Sequence, residues 1–216
     1  MDGLTRLSLE FSWSVLFIIV YVVLLFVIIV RSNKKIKKLS VELQQHIDEP
    51  EEVTGRIQQY IRKHPLSLAN STLRLFSVPY LFASEKREKL KTCVKKIRAM
   101  DIDRGAADRV LITLFLLKEY GFYDEYLLLK TKVEKSYKPC QGNPYHLLMQ
   151  EKINVENLPS DITAVCSEQV RAVIAYYRGE NDFRKGNKEQ AAKQFEFLMQ
   201  ILPMTSSLLK GKGYIE

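Results

Sequence analysis

The hydrophobic pattern begins as a block and then becomes a stripe. Residues 11–30 carry no charge. At about 1.5 Å per residue, a helix of that length spans about 30 Å, the thickness of a bilayer's hydrocarbon core. Lipid offers the backbone no hydrogen-bond partners, so such a segment must be helical to enter it. Trp13 sits near one end, where an amphipathic ring suits the membrane interface. A cleaved signal peptide would carry positive charge before a shorter apolar run and small residues at the cut. Here the charge follows the run, so the expectation is a retained transmembrane helix over residues 11–31, preceded by a short extracytoplasmic segment, residues 1–10.

Beyond it the apolar positions recur at helical spacing. Ile36, Leu39 and Leu43 mark a narrow stripe on a basic juxtamembrane helix, residues 32–48. It can pack on its own domain or form a short parallel coiled coil, which leaves a homodimer open. Asp48 to Glu52, with Pro50, reads as a helix start; Val53, Ile57, Tyr60 and Ile61 share its inner face, and His64-Pro65 stops it. Residues 66–82 are expected to be helical, kinked or ended at Pro79. Ser84 is expected to open a helix with Leu90, Cys93, Val94 and Ile97 inside. Asp103 should cap a helix to Tyr120, with Gly121 as a left-handed stop and residues 124–137 returning.

Residues 110–117 are apolar but lie between Arg109 and Lys118, too short a run to cross a membrane, and read as a helix buried on most sides. Residues 138–159, with Pro139, Gly142, Asn143, Pro144 and Pro159, are expected to be the loosest part, with one short helix near 145–152. Ser160 or Asp161 should cap a long helix to about Lys185, and Asn187 should start another that Pro203 ends. No strand-like alternation is evident. The expected fold is all-α: a transmembrane helix followed, over residues 49–216, by an antiparallel helical array, either an α-solenoid or a compact bundle.

Composition agrees, with 9 Gly and 7 Pro in 216 residues. The net charge of +8 is largely a membrane flank. Arg31, Lys34, Lys35, Lys37 and Lys38 follow the apolar run, whereas from Leu39 onward 27 basic residues face 23 acidic ones. Asp2, Arg6 and Glu10 make the preceding segment net negative, so the positive-inside rule places the helical domain in the cytoplasm and the N-terminus outside. In an outer mitochondrial membrane the domain would likewise face the cytosol. Lys86, Arg87, Lys89, Lys91, Lys95, Lys96 and Arg98 form a second basic stretch, read as a solvated face or a contact for anionic lipid head groups. No aromatic residues interleave these charges as base-stacking platforms, which argues against nucleic acid.

Residues 186–203 carry a more specific pattern. Gly186 is followed five residues later by Ala191, then by Phe195 after four and Pro203 after eight. This resembles the second half of a tetratricopeptide repeat, with the hairpin covering residues 161–203. The resemblance implies that Ala191 lets two helices approach, that Phe195 fills the groove and that Pro203 ends the unit. It also implies a partner-binding concave face on the first helix of the pair, where Tyr176, Glu180 and Arg184 recur every fourth residue. Tyr126 stands where the earlier hairpin would need a small residue.

Catalytic and metal signatures are missing from the sequence. His46, His64 and His146 fall on different elements, and Cys140 with His146 makes half a metal site. Cys93, Cys140 and Cys166 form no CxxC pair and read as reduced, buried thiols. Lys210-Gly-Lys-Gly213 is not followed by the helix a phosphate loop needs. The expectation is a membrane-tethered scaffold or adaptor that binds protein partners, with no cofactor and no enzymatic role. The rival readings are a regulatory or catalytic domain with an unrecognised site and a structural subunit of a membrane complex. If the orientation is right, protease added to sealed right-side-out cells leaves the domain beyond Leu39 intact, and its digestion there reverses the topology.

Overall fold

The computed structural model describes residues 15, 18–22, 36, 38, 39, 41–43, 46, 48–138 and 166–215. The chain divides into two compact units, Met1–Ile47 and Asp48–Glu216. In the first, residues 15, 18–22, 36, 38, 39 and 41–43 are helical; residues 15 and 18–22 are exposed, while Leu39 and Leu43 are buried. Lys38 Nζ lies 4.0 Å from Glu42 Oε1, one helical turn on. Among the described residues no helix is long and apolar enough to cross a membrane. Most of the expected span lies outside the described residues, as do Trp13, Arg31, Lys34, Lys35 and Lys37.

The second unit is all-α over its described residues: α1 (Pro50–Lys63), α2 (Asn70–Ala83), α3 (Arg87–Lys95), a 3-10 turn (Ala99–Asp101), α4 (Ala107–Glu119), α5 (Tyr123–Ser136), α6 (Glu168–Arg184), α7 (Lys188–Ile201) and α8 (Thr205–Gly211). Neighbours in sequence pair in space: α1 with α2, α2 with α3, α4 with α5, and α6 with α7. The central element is α4, in contact with α2, α5 and α6. Every residue from Val110 to Leu117 is buried in it. Burying a Leu, Ile or Phe side chain is worth about 1.5–3 kcal/mol, so this helix anchors the core.

Helices α2, α4 and α6 stop by a common device. At the end of α4 the Phe122 N–H reaches back to the Leu117 carbonyl at 2.8 Å, and Gly121 takes a φ of 77°. After α6, Asn187 bonds to Asp182 at 2.9 Å with Gly186 at 83°. This is the left-handed termination that satisfies orphan carbonyls. After α2 the same position is filled by Glu85 at 53°, where a Cβ makes the conformation costlier.

Two boundaries differ from the sequence expectations. Of the two outcomes expected at Pro79, the helix does not end there, since α2 continues to Ala83. Ser84 closes α2 instead of opening α3: its Oγ donates to the Tyr80 carbonyl at 2.9 Å. Asp103 Oδ1 accepts from Gly105 N at 2.8 Å, a local turn, and α4 starts only at Ala107. The long helix α6 begins at Glu168, after Ser167; residues 139–165, with the expected caps Ser160 and Asp161, lie outside the described residues. The C-terminal helix α8 was not expected at all.

The pairing of α6 and α7 is unusually close. A Cβ built on Gly179 would lie 2.7 Å from Phe195 Cε1 and 3.1 Å from Gln194 Cβ. Phe195 is fully buried and Ala191 is 1% exposed. Pro203 is exposed just past α7, where the chain turns into α8 with Thr205 Oγ1 donating to the Leu202 carbonyl at 2.7 Å. Ala191→Leu therefore forces extra volume into a closed contact and is expected to cost about 1–3 kcal/mol in urea unfolding of the chain. Unchanged stability would remove Ala191 from the interface.

Candidate functional site

Two features of the second unit bring polar side chains together. The first is a polar cluster that joins α4, α6 and the segment after α8. Glu119 lies in the last turn of α4, its carboxylate 9% exposed. Tyr176 of α6 is fully buried and donates its hydroxyl proton to Glu119 Oε2 at 2.6 Å. Lys212 Nζ donates to the same carboxylate oxygen at 2.5 Å and to the Tyr176 hydroxyl oxygen at 2.5 Å, and sits 5.2 Å from the Tyr176 ring centroid. Tyr214 donates to Glu180 Oε1 at 2.7 Å, and Arg184 lies 3.2 Å from the same oxygen.

Burial, reinforced by the Glu119 carboxylate, holds the Tyr176 hydroxyl far above the usual phenol range. Burial and the bond to Glu180 push the Tyr214 hydroxyl up to about 12. Both tyrosines thus remain neutral donors at physiological pH. Each carboxylate is matched by a phenol and a cation, an arrangement that ties elements together.

The expected binding stripe is unevenly open to solvent. Tyr176, Glu180 and Arg184 share a face of α6, but Tyr176 packs edge-on against Phe115 at 5.0 Å and is closed to solvent. The Glu180 carboxylate is 18% exposed and engaged with Tyr214; Arg184, at 72%, remains on the surface. Glu119, Lys212 and Tyr214 were missed from the sequence. The signal was a glycine followed by an aromatic residue after an apolar run. That pattern occurs as Gly121-Phe122 and again as Gly213-Tyr214, where φ at Gly213 is 70°.

The second feature is a cleft of about 530 Å³ between the α2–α3 turn, the end of α4 and the start of α8. Leu81, Phe82, Leu90, Tyr120 and Phe122 form much of its wall. The Phe82 ring lies tilted against Tyr120 at 4.8 Å and meets Phe122 edge-on at 5.6 Å. The Tyr120 hydroxyl donates to the Met204 carbonyl, which fixes the α8 side of the cleft. Arg87 and Lys210 are exposed at its rim beside Glu85.

The basic stretch on α3 is partly engaged. Lys86 lies 2.6 Å from Glu51, whose carboxyl it holds below the usual range by hydrogen bond and charge. Lys91 meets Glu88 at 3.1 Å and Arg98 meets Asp101 at 2.5 Å. Among the described residues no group of three or more His, Cys, Asp or Glu could hold a metal ion. Cys93 and Cys166 are buried free thiols, and burial raises the pKa of each. His64 packs edge-on against Tyr60 at 4.8 Å; Cys140 and His146 lie outside the described residues.

No protein-family model matches the chain, and no curated protein or solved structure matches it either.

The raised Tyr214 value has a consequence for stability. A phenol that stays neutral to higher pH when folded than when unfolded stabilises the fold fully below the unfolded value near 10. That contribution disappears as pH rises through about 12. Thermal melts followed by circular dichroism should therefore show a loss above about pH 10 that is shallower in Tyr214→Phe. Identical alkaline slopes for both chains would detach Tyr214 from Glu180.

Proposed function

We propose that the chain is a membrane-tethered helical adaptor that holds protein partners at the cytoplasmic face of a membrane. The tether is the charge-free run of residues 11–30, and the basic residues that follow it set the orientation. The second unit is the adaptor. The spacing of Gly186, Ala191, Phe195 and Pro203, with the close approach of Gly179 to Phe195, supports reading α6 and α7 as a degenerate tetratricopeptide unit.

The observation that carries the reading is the aromatic-walled cleft between the α2–α3 turn and α8. Its wall mixes the apolar side chains Leu81, Phe82, Leu90, Tyr120 and Phe122 with polar ones from α8, and Arg87 and Lys210 stand at its rim beside Glu85. The occupant this chemistry suits is a partner's short apolar segment carrying a carboxylate near its end. The apolar side chains pack against Phe82, Tyr120 and Leu90, and the carboxylate meets the rim cations.

The reading is tested by photocrosslinking from position 83, on the cleft wall, in membranes that contain the full chain. A discrete protein adduct is expected, and the double reversal Arg87→Glu with Lys210→Glu should reduce it about tenfold, since each exposed pair is worth up to about 1 kcal/mol. Both side chains are exposed, so helicity and melting should not change. An adduct that survives the reversal, or forms equally from position 193 on α7, would move the binding surface elsewhere.

A further inference from the structure

A different face of the same unit pairs cations with bare apolar side chains. A cleft of about 620 Å³ opens between the α1–α2 link, the first turns of α2, the end of α3 and the end of α5. Arg74, Lys95, Lys96, Arg98, Lys132 and Lys135 line it against one acid, Asp101, which Arg98 already neutralises at 2.5 Å. A neighbouring cleft of about 440 Å³ shares Arg74 and Lys96 and adds Arg62 and Lys89 against Glu88. Lys132 is part of the framework: it donates to the carbonyls of Lys95 at 2.9 Å and Ile97 at 3.0 Å, closing the end of α3. Lys95, Lys96 and Lys135 are exposed.

Apolar tips stand among these charges. Leu66 is 92% exposed, Met100 76% and Leu68 70%, and Leu66 and Met100 belong to the lining of the larger cleft. A face selected only for solubility gains nothing from a bare Leu beside lysines. A soluble phosphorylated ligand would use the cations but leave the tips in water. A nucleic-acid groove would offer rings for stacking, and neither cleft is lined by an aromatic side chain. Apolar tips ringed by Lys and Arg fit an anionic bilayer, where the tips enter the acyl boundary and the cations stay at phosphate depth.

We infer that this face docks on anionic lipid, with Leu66, Leu68 and Met100 entering the interface and Lys95, Lys96 and Lys135 bound to head-group phosphates. The inference rests on the tether reading for the nearness of lipid. Residues 31–47 number 17 and reach at most about 60 Å when fully extended, so the face is always within range of the surface. Docking turns the unit from a loosely tethered body into one with a fixed side towards the membrane.

The test uses the full chain in liposomes of phosphatidylcholine alone or of phosphatidylcholine with phosphatidylserine. Outward-facing lysines are acetylated with a membrane-impermeant ester and read by mass spectrometry, with Lys188 and Lys193 on α7 as reference. Lys95, Lys96 and Lys135 should react about fivefold more slowly in the phosphatidylserine liposomes. The double variant Leu66→Asp, Met100→Asp should abolish the difference; both side chains are exposed, so the fold should tolerate it. A chain retained on alkaline carbonate extraction whose three lysines react equally in both lipids overturns the docking face alone. A chain stripped by carbonate overturns the tether and the docking with it. Equal protection by inorganic pyrophosphate added to phosphatidylcholine liposomes overturns the bilayer in favour of a soluble phosphate ligand.

Discussion

The second unit is organised by a helix that can show no side to water. From Val110 to Leu117 the sequence of α4 offers no polar stripe, so the stretch must be enclosed. The helices α2, α5 and α6 supply that enclosure. The charged residues sit at its ends, where they can reach out: the Arg109 guanidinium lies 4.4 Å above the Phe76 ring, and Glu119 turns into the polar cluster. The hairpins follow from this requirement, since a helix surrounded on several sides needs short turns that return the chain to it. Gly121 makes the turn into α5 without a steric penalty.

Glu119 sets the second constraint. An acid in the last turn of a helix opposes the macrodipole, and near-complete burial adds a desolvation cost. Tyr176 and Lys212 offset both, one as a neutral donor and the other as a charge. Such a cluster contributes less net stability than apolar side chains of the same volume would, but a carboxylate left alone there would be strongly unfavourable. It therefore selects the arrangement in which α6 and α8 lie where both partners reach it. Tyr214 extends the tie, its ring stacked on Phe195 at 5.1 Å and its hydroxyl on Glu180.

Much of the helical order could be read from the chain. The burial of α4, the stop at Gly121, the return helix and the second helix of the last hairpin follow from apolar spacing and glycine position alone. The failures have local causes. Ser84 and Asp103 are residue types that start helices, but their oxygens were already committed to the Tyr80 carbonyl and the Gly105 N–H. At Tyr176 the limit was different in kind. Four-residue spacing shows that Tyr176, Glu180 and Arg184 share a face, but not whether that face looks inward. The answer lay in a carboxylate 57 residues earlier, which no periodicity within α6 can announce. The aromatic-walled cleft was illegible for a similar reason, because its walls come from α2, the end of α4 and α8.

The distance in sequence between Glu119 and its cation also has a meaning in time. The two residues are 93 positions apart. At ribosomal rates of about 5–20 residues per second, Glu119 emerges about 5–20 s before Lys212. Early in that interval α4 can form its hairpin with α5, but the end that carries Glu119 has no reason to leave water. The apolar side of α4 can be covered once α6 has followed, with the Tyr176 hydroxyl on the Glu119 carboxylate. The charge of Glu119 is matched only by a lysine made 36 residues later still.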